Sequence, residues 1–95
     1  MPLTPLPPQA FSDVAERPGW TVANGQATFA PVPGGWRAVV SALRHPTGHA
    51  RYHVAVVDRT GATRFTSETA SLHDAVRSAE RGVLARNAIR LVPRV

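Results

Sequence analysis

Hydrophobic and polar positions along this chain fall into blocks with two different periods. Residues 36–44 (WRAVVSALR), 51–58 (RYHVAVVD) and 62–67 (ATRFTS) alternate with a period of two. That period is the mark of strands that turn one face toward a core. The breaks His45-Pro46-Thr47-Gly48 and Asp58-Arg59-Thr60-Gly61 read as turns, so the three runs predict an antiparallel meander. Alternation puts Trp36, Ala38, Val40 and Ala42 on one face, with Tyr52, Val54, Val56, Thr63 and Phe65. This is the expected core face. The opposite face carries Arg37, Val39, Ser41 and Leu43; Arg51, His53, Ala55 and Val57; and Arg64 and Thr66. It is only half polar, which calls for a cover: the N-terminal hairpin, the tail or a second subunit.

The period changes to that of a helix over residues 71–86 (SLHDAVRSAERGVLAR). Leu72, Ala75, Val76, Ala79 and Val83 make one apolar stripe, and Ser71 with Asp74 has about the spacing of a capping box. Arg77, Arg81 and Arg86 lie toward the negative end of the helix dipole, and Gly82 weakens the helix. Residues 88–92 (AIRLV) read as a last strand before Pro93. Upstream, Asn24-Gly25 inside WTVANGQATFA predicts a short hairpin over 20–30, because both residues tolerate the positive φ of a type I′ turn. Pro31, Pro33, Gly34 and Gly35 then interrupt the chain. Residues 10–17 suit one or two helical turns capped by Ser12 and stopped by Pro18-Gly19. Pro2, Pro5, Pro7 and Pro8 make 1–9 a polyproline-like or flexible tail.

The fold class expected is therefore α+β: a three-stranded antiparallel meander plus an N-terminal hairpin, with one C-terminal helix packed on the sheet. Residues 10–95 form the single domain.

Composition narrows the chemistry. The 95 residues include no cysteine, which removes disulfides, thiolate zinc sites and cysteine nucleophiles. No signal-peptide pattern and no membrane-length apolar run is present, so the expectation is a cytoplasmic protein without a membrane partner. No phosphate-binding glycine loop, no nucleophile elbow and no acidic pair frames a reaction. The expectation is a non-enzymatic protein without a cofactor. His45, His49 and His53 recur at intervals of four, but Pro46 and Gly48 rule out the helix that would align them as zinc ligands. They read as turn and surface histidines.

The net charge is +5 and every basic residue is arginine, the better fork for phosphate. GC-rich coding gives the same lysine-free composition without any function. The candidate nucleic-acid-binding residues are Arg37, Arg51 and Arg64 on three neighbouring strands, with Arg44 and Arg59 beside the turns. Salt bridges to Glu68, Asp58 or Glu80 are the alternative use of those arginines. The order strand, Asp-x-x-Gly turn, strand with an aromatic, capped helix in Tyr52–Arg86 resembles the arm-type DNA-binding domains of phage integrases. It also resembles the antitoxin family with a partial double-stranded-RNA-binding fold, without that family's Pro-Asp-Leu-Pro-Gly signature. The resemblance implies a three-stranded sheet plus helix and transfers no functional residue. Two functions follow as expectations: a module that contacts nucleic-acid backbone through the arginine-bearing face, or a protein-interaction or homodimeric module that uses the apolar half of that face.

Overall fold

The computed structural model describes residues 4–5, 11–44, 48 and 50–91. Its strands are β1 (Thr4–Pro5), β2 (Trp20–Ala23), β3 (Gln26–Phe29), β4 (Arg37–Arg44), β5 (Ala50–Val57) and β6 (Thr63–Thr69), followed by one helix, α1 (Leu72–Leu91). All pairings are antiparallel and the order is β2-β3-β4-β5-β6. The expected meander and hairpin thus merge into one sheet, because Phe29 to Gln26 pair with Ala38 to Ser41. Thr4–Pro5, within the proline-rich segment, pair with Arg44 and Leu43 and extend the β3 side of β4. The rest of that segment, and most of the 45–48 turn, lie outside the described residues. No described helix is long and apolar enough to cross a membrane.

Local chemistry explains the turns. Asn24 and Gly25 adopt φ values of 54° and 75°, so the β2–β3 connection has the left-handed backbone that the twist of a two-residue hairpin requires. In the β5–β6 turn, Asp58 Oδ1 accepts from the Thr60 hydroxyl at 2.6 Å and from the N–H groups of Thr60 and Ala62 at 2.9 and 3.1 Å. A bulge between Val56 and Val57 leaves Val57 opposite Thr63 and Val56 opposite Phe65, with Arg64 as the additional residue.

One face of the sheet holds the core. Ala38, Val40, Ala42, Val54 and Val56 are buried there against Ala75, Val76, Ala79 and Val83 of α1, with Trp36 and Tyr52 partly covered. Five alanines (Ala27, Ala38, Ala42, Ala75 and Ala79) are exposed by 2% or less. With so little side chain between the layers, α1 lies close to the sheet. Phe11 and Val14 belong to the same core. The described part of the segment 10–17, from Phe11, supplies these two apolar groups and a 3-10 turn at Val14–Glu16. Ser12 does not cap it, and the capping position falls to Asp13 with no side-chain bond. At the start of α1, Ser71 Oγ accepts from the Asp74 N–H at 3.4 Å.

Two expectations are corrected. Residues 88–91 continue α1 rather than forming a strand. Phe65 is 49% exposed rather than in the core, because α1 lies over β4 and β5 and leaves β6 at its margin.

Candidate functional site

Strand register fixes what the uncovered face presents. Arg37 lies opposite Val57, Val39 opposite Ala55, Ser41 opposite His53, and Leu43 opposite Arg51; Val57, expected as an open apolar position of this face, is buried at 7% exposure. Adding β3 and β6 gives one row of Thr28, Val39, Ala55 and Thr66 and a second of Gln26, Ser41, His53 and Glu68. The centre of the face is therefore small, largely neutral and half-buried. Among the described residues α1 and the 11–16 segment both build the core on the other side, so neither covers it.

The five candidate arginines do not form one patch. Arg37 and the position of Arg51 lie six residues apart along the β4 register, roughly 20 Å at the rise of a strand. Arg37, Arg59 and Arg64 gather around the β5–β6 turn. The Arg37 guanidinium approaches Gly61, Arg64 pairs with Asp58 at 3.8 Å, and Arg59 is exposed. Arg51 sits at the far end, 3.4 Å from Glu68. Arg44 ends β4 opposite Ala50. Two of the five thus use the local carboxylates that the sequence offered as alternative partners, in exposed pairs that add little stability. Glu80 pairs with Arg17 instead.

A second feature lies on the core side, where β6 projects beyond the helix. A cleft of about 250 Å³ runs between them, floored by Val54, Val56 and Phe65 and walled by Ser78, Gly82 and Arg86. Ser78, Gly82 and Arg86 follow at intervals of four and so form one stripe of α1. Gly82 has no side chain, which keeps the middle of the cleft open; a Cβ there would lie 3.5 Å from Val56 Cγ2. The Arg86 guanidinium stacks 4.4 Å from the Phe65 ring centre and 5.5 Å from that of Trp36, closing one end. The cleft opens onto a depression lined by Asp74, Arg77, Arg81 and Ala85. Sequence reading missed this feature because alternation put Phe65 in the core.

Two carboxylates tie the frame together. Arg17 Nη2 donates to Glu80 Oε1 at 2.9 Å and the Trp20 indole N–H donates to Glu80 Oε2 at 2.8 Å. The Arg17 hydrogen bond, opposed by desolvation and aided by Trp20, holds the Glu80 carboxyl below its usual 4.5. The Thr60 hydroxyl, opposed by desolvation and aided by the turn's N–H groups and Arg64, holds Asp58 below 3.8. Both groups bind protons more weakly in the folded state than in the unfolded one. Their contribution is complete above the unfolded values and is lost as pH falls through the lower folded ones. The thermal midpoint is expected to stay level from pH ~7 to ~5 and to decline below pH ~4. Glu80→Gln combined with Asp58→Asn should start lower and decline less; an unchanged acid limb in that variant would contradict the assignment.

His53 lies on the open face opposite Ser41, whereas His45 and His49 are outside the described residues. Among the described residues no three His, Cys, Asp or Glu side chains gather as a metal site. No family model, curated protein or solved structure matches this chain.

Proposed function

We propose that this chain is a non-enzymatic protein-interaction module whose open sheet face packs against the same face of a second copy. One observation carries the reading: the row Thr28, Val39, Ala55 and Thr66 across the middle of the face is small and neutral, and Arg37 and Arg51 stand toward opposite ends. Such a surface suits sheet-on-sheet packing at about 10 Å, where short side chains interdigitate. A chain this small also gains proportionally more from shared burial than a larger one does.

A second reading is favoured by the grouping of Arg37, Arg59 and Arg64 around the β5–β6 turn. In it, the arginine-bearing face, with Arg51 at its other end and Arg44 beside the 45–48 turn, contacts nucleic-acid phosphates.

Salt separates the two readings. Light scattering at ~50 and ~500 mM NaCl should give a dimer mass at both, because an apolar contact is little screened. Ala55→Glu should give a monomer with the native circular dichroism spectrum. A monomer mass for the native chain at both salts would overturn the first reading. Anisotropy of labelled DNA and RNA at ~50 and ~200 mM salt would then decide the second, whose signature is steep loss at the higher salt and in an Arg37/Arg59/Arg64→Ala variant.

A further inference from the structure

The geometry points to a separate site on the other side of the sheet, and we propose that the cleft between α1 and β6 takes an extended acidic peptide, which pairs with β6 as an added strand. The inference does not rest on the open-face reading.

β6 is the last strand in the order, and β5 is the strand that pairs with it. Proteins commonly blunt such an edge with proline, lysine, a bulge or a covering element. Here the bulge lies at the start of the strand, beside Arg64, and the stretch that follows, Phe65-Thr66-Ser67, is neutral and exposed. An edge of this kind offers backbone donors and acceptors at strand spacing to an extended chain.

The cleft supplies the second half of a recognition site. Side chains of an added strand alternate between the two sheet faces. Every other one would stand beside Phe65 on the helix side and point toward the slot, where Ser78 and Gly82 leave room. Charge then selects the occupant. The helix rim above the slot presents Arg77, Arg81 and Arg86 against Asp74. Among the described residues neither Arg77 nor Arg81 has a carboxylate within ion-pair distance. An incoming strand that carries apolar and acidic residues together on its helix-facing side satisfies both the floor and the rim. A second copy joined β6 to β6 would instead set two basic helix rims against each other, so like-charge repulsion disfavours it.

The probe is a fluorescein-labelled nonapeptide, Val-Thr-Glu-Thr-Val-Thr-Glu-Thr-Val, whose odd positions set Val and Glu together on one face, read by anisotropy. Two control peptides replace Glu by Lys, or place Pro at every third position to abolish strand pairing. The Val/Glu peptide is expected to saturate the protein and to bind roughly 10-fold or more tightly than either control. Amide shifts in a nitrogen-15 spectrum should concentrate on Phe65, Thr66 and Ser67 and on Ser78 and Gly82. Gly82→Leu, which fills the slot, should abolish binding. Arg77→Glu with Arg81→Glu, both at exposed positions, should reverse the preference toward the Val/Lys peptide, which keeps the test decisive even if Gly82→Leu disturbs the fold. Equal binding of all three peptides, or shifts confined to Val39 and Ala55 on the open face, would overturn the proposal. So would a labelled oligothymidylate that shifts the β6 amides while the Val/Glu peptide does not. Of these residues only Thr66 also belongs to the open face, and neither Gly82→Leu nor the arginine pair touches that face, so the two readings fail independently.

Discussion

Phe11→Ala is expected to destabilise the protein by about 3–5 kcal/mol, the cost of emptying a fully buried aromatic site. Phe11 is 1% exposed and shares the core with Val14, Trp20 and Phe29. The Trp20 and Phe29 rings stack 5.2 Å apart on the β2–β3 hairpin, and the 11–16 segment closes this end of the sheet. A small domain has only roughly 5–15 kcal/mol of net stability, so the loss should leave a protein partly unfolded at physiological temperature. Urea denaturation followed by tryptophan fluorescence measures it. Phe11→Leu should recover most of the loss. A cost below ~1 kcal/mol for the alanine variant would mean that the segment is an appendage and not part of the domain.

The second large effect is at Asn87. This side chain is 5% exposed, within the last turns of α1. Its Oδ1 accepts from the Trp36 N–H at 3.1 Å and its Nδ2 donates to the Trp36 carbonyl at 3.4 Å. The amide thus stands in for a neighbouring strand at the entrance of β4. Asn87→Ala orphans both backbone groups and is expected to cost about 1–3 kcal/mol. Asn87→Asp keeps the acceptor but sets a buried charge against the carbonyl. Relative to the native chain at the same pH, it should recover as acid protonates the new carboxyl and restores a donor. Gly35→Ala should act on the same clamp from the other side, because its Cβ would fall 2.8 Å from Asn87 Oδ1. Native stability of Asn87→Asp at neutral pH would show that the clamp contributes nothing.

Residues whose partners lie nearby in the chain were legible in the sequence. Asn24-Gly25 and Asp58-Arg59-Thr60-Gly61 carry their turn chemistry within four residues. The alternation of Ala38, Val40, Val54 and Val56 needs only a period. Residues with distant partners were not. The expected helix ends at Arg86 and the expected strand begins at Ala88, which leaves Asn87 between them with no role. In the fold its side chain bonds the backbone of Trp36, and α1 runs on through Ala88, Ile89, Arg90 and Leu91. Phe65 alternates like a core residue, but no local pattern reveals where α1 crosses the sheet. Glu80 reads as a partner for the sheet arginines, yet its position on α1 sets it beside Arg17 and Trp20. The arginines were assigned to their strands correctly, while the bulge at Val56/Val57 that carries Arg64 out of the ladder leaves no mark in the alternation.

The five buried alanines make the height of the helix above the sheet a mechanical variable. Ala38 and Ala42 on the sheet and Ala75 and Ala79 on the helix act as a gauge block whose thickness is a single methyl group on each side. One added carbon under α1 raises the helix over β4 and β5, and the mouth facing β6 widens with it. The width of that mouth is therefore inherited from residues that never touch what enters it. Drift in the interior retunes selectivity at the rim while every contacting side chain stays the same.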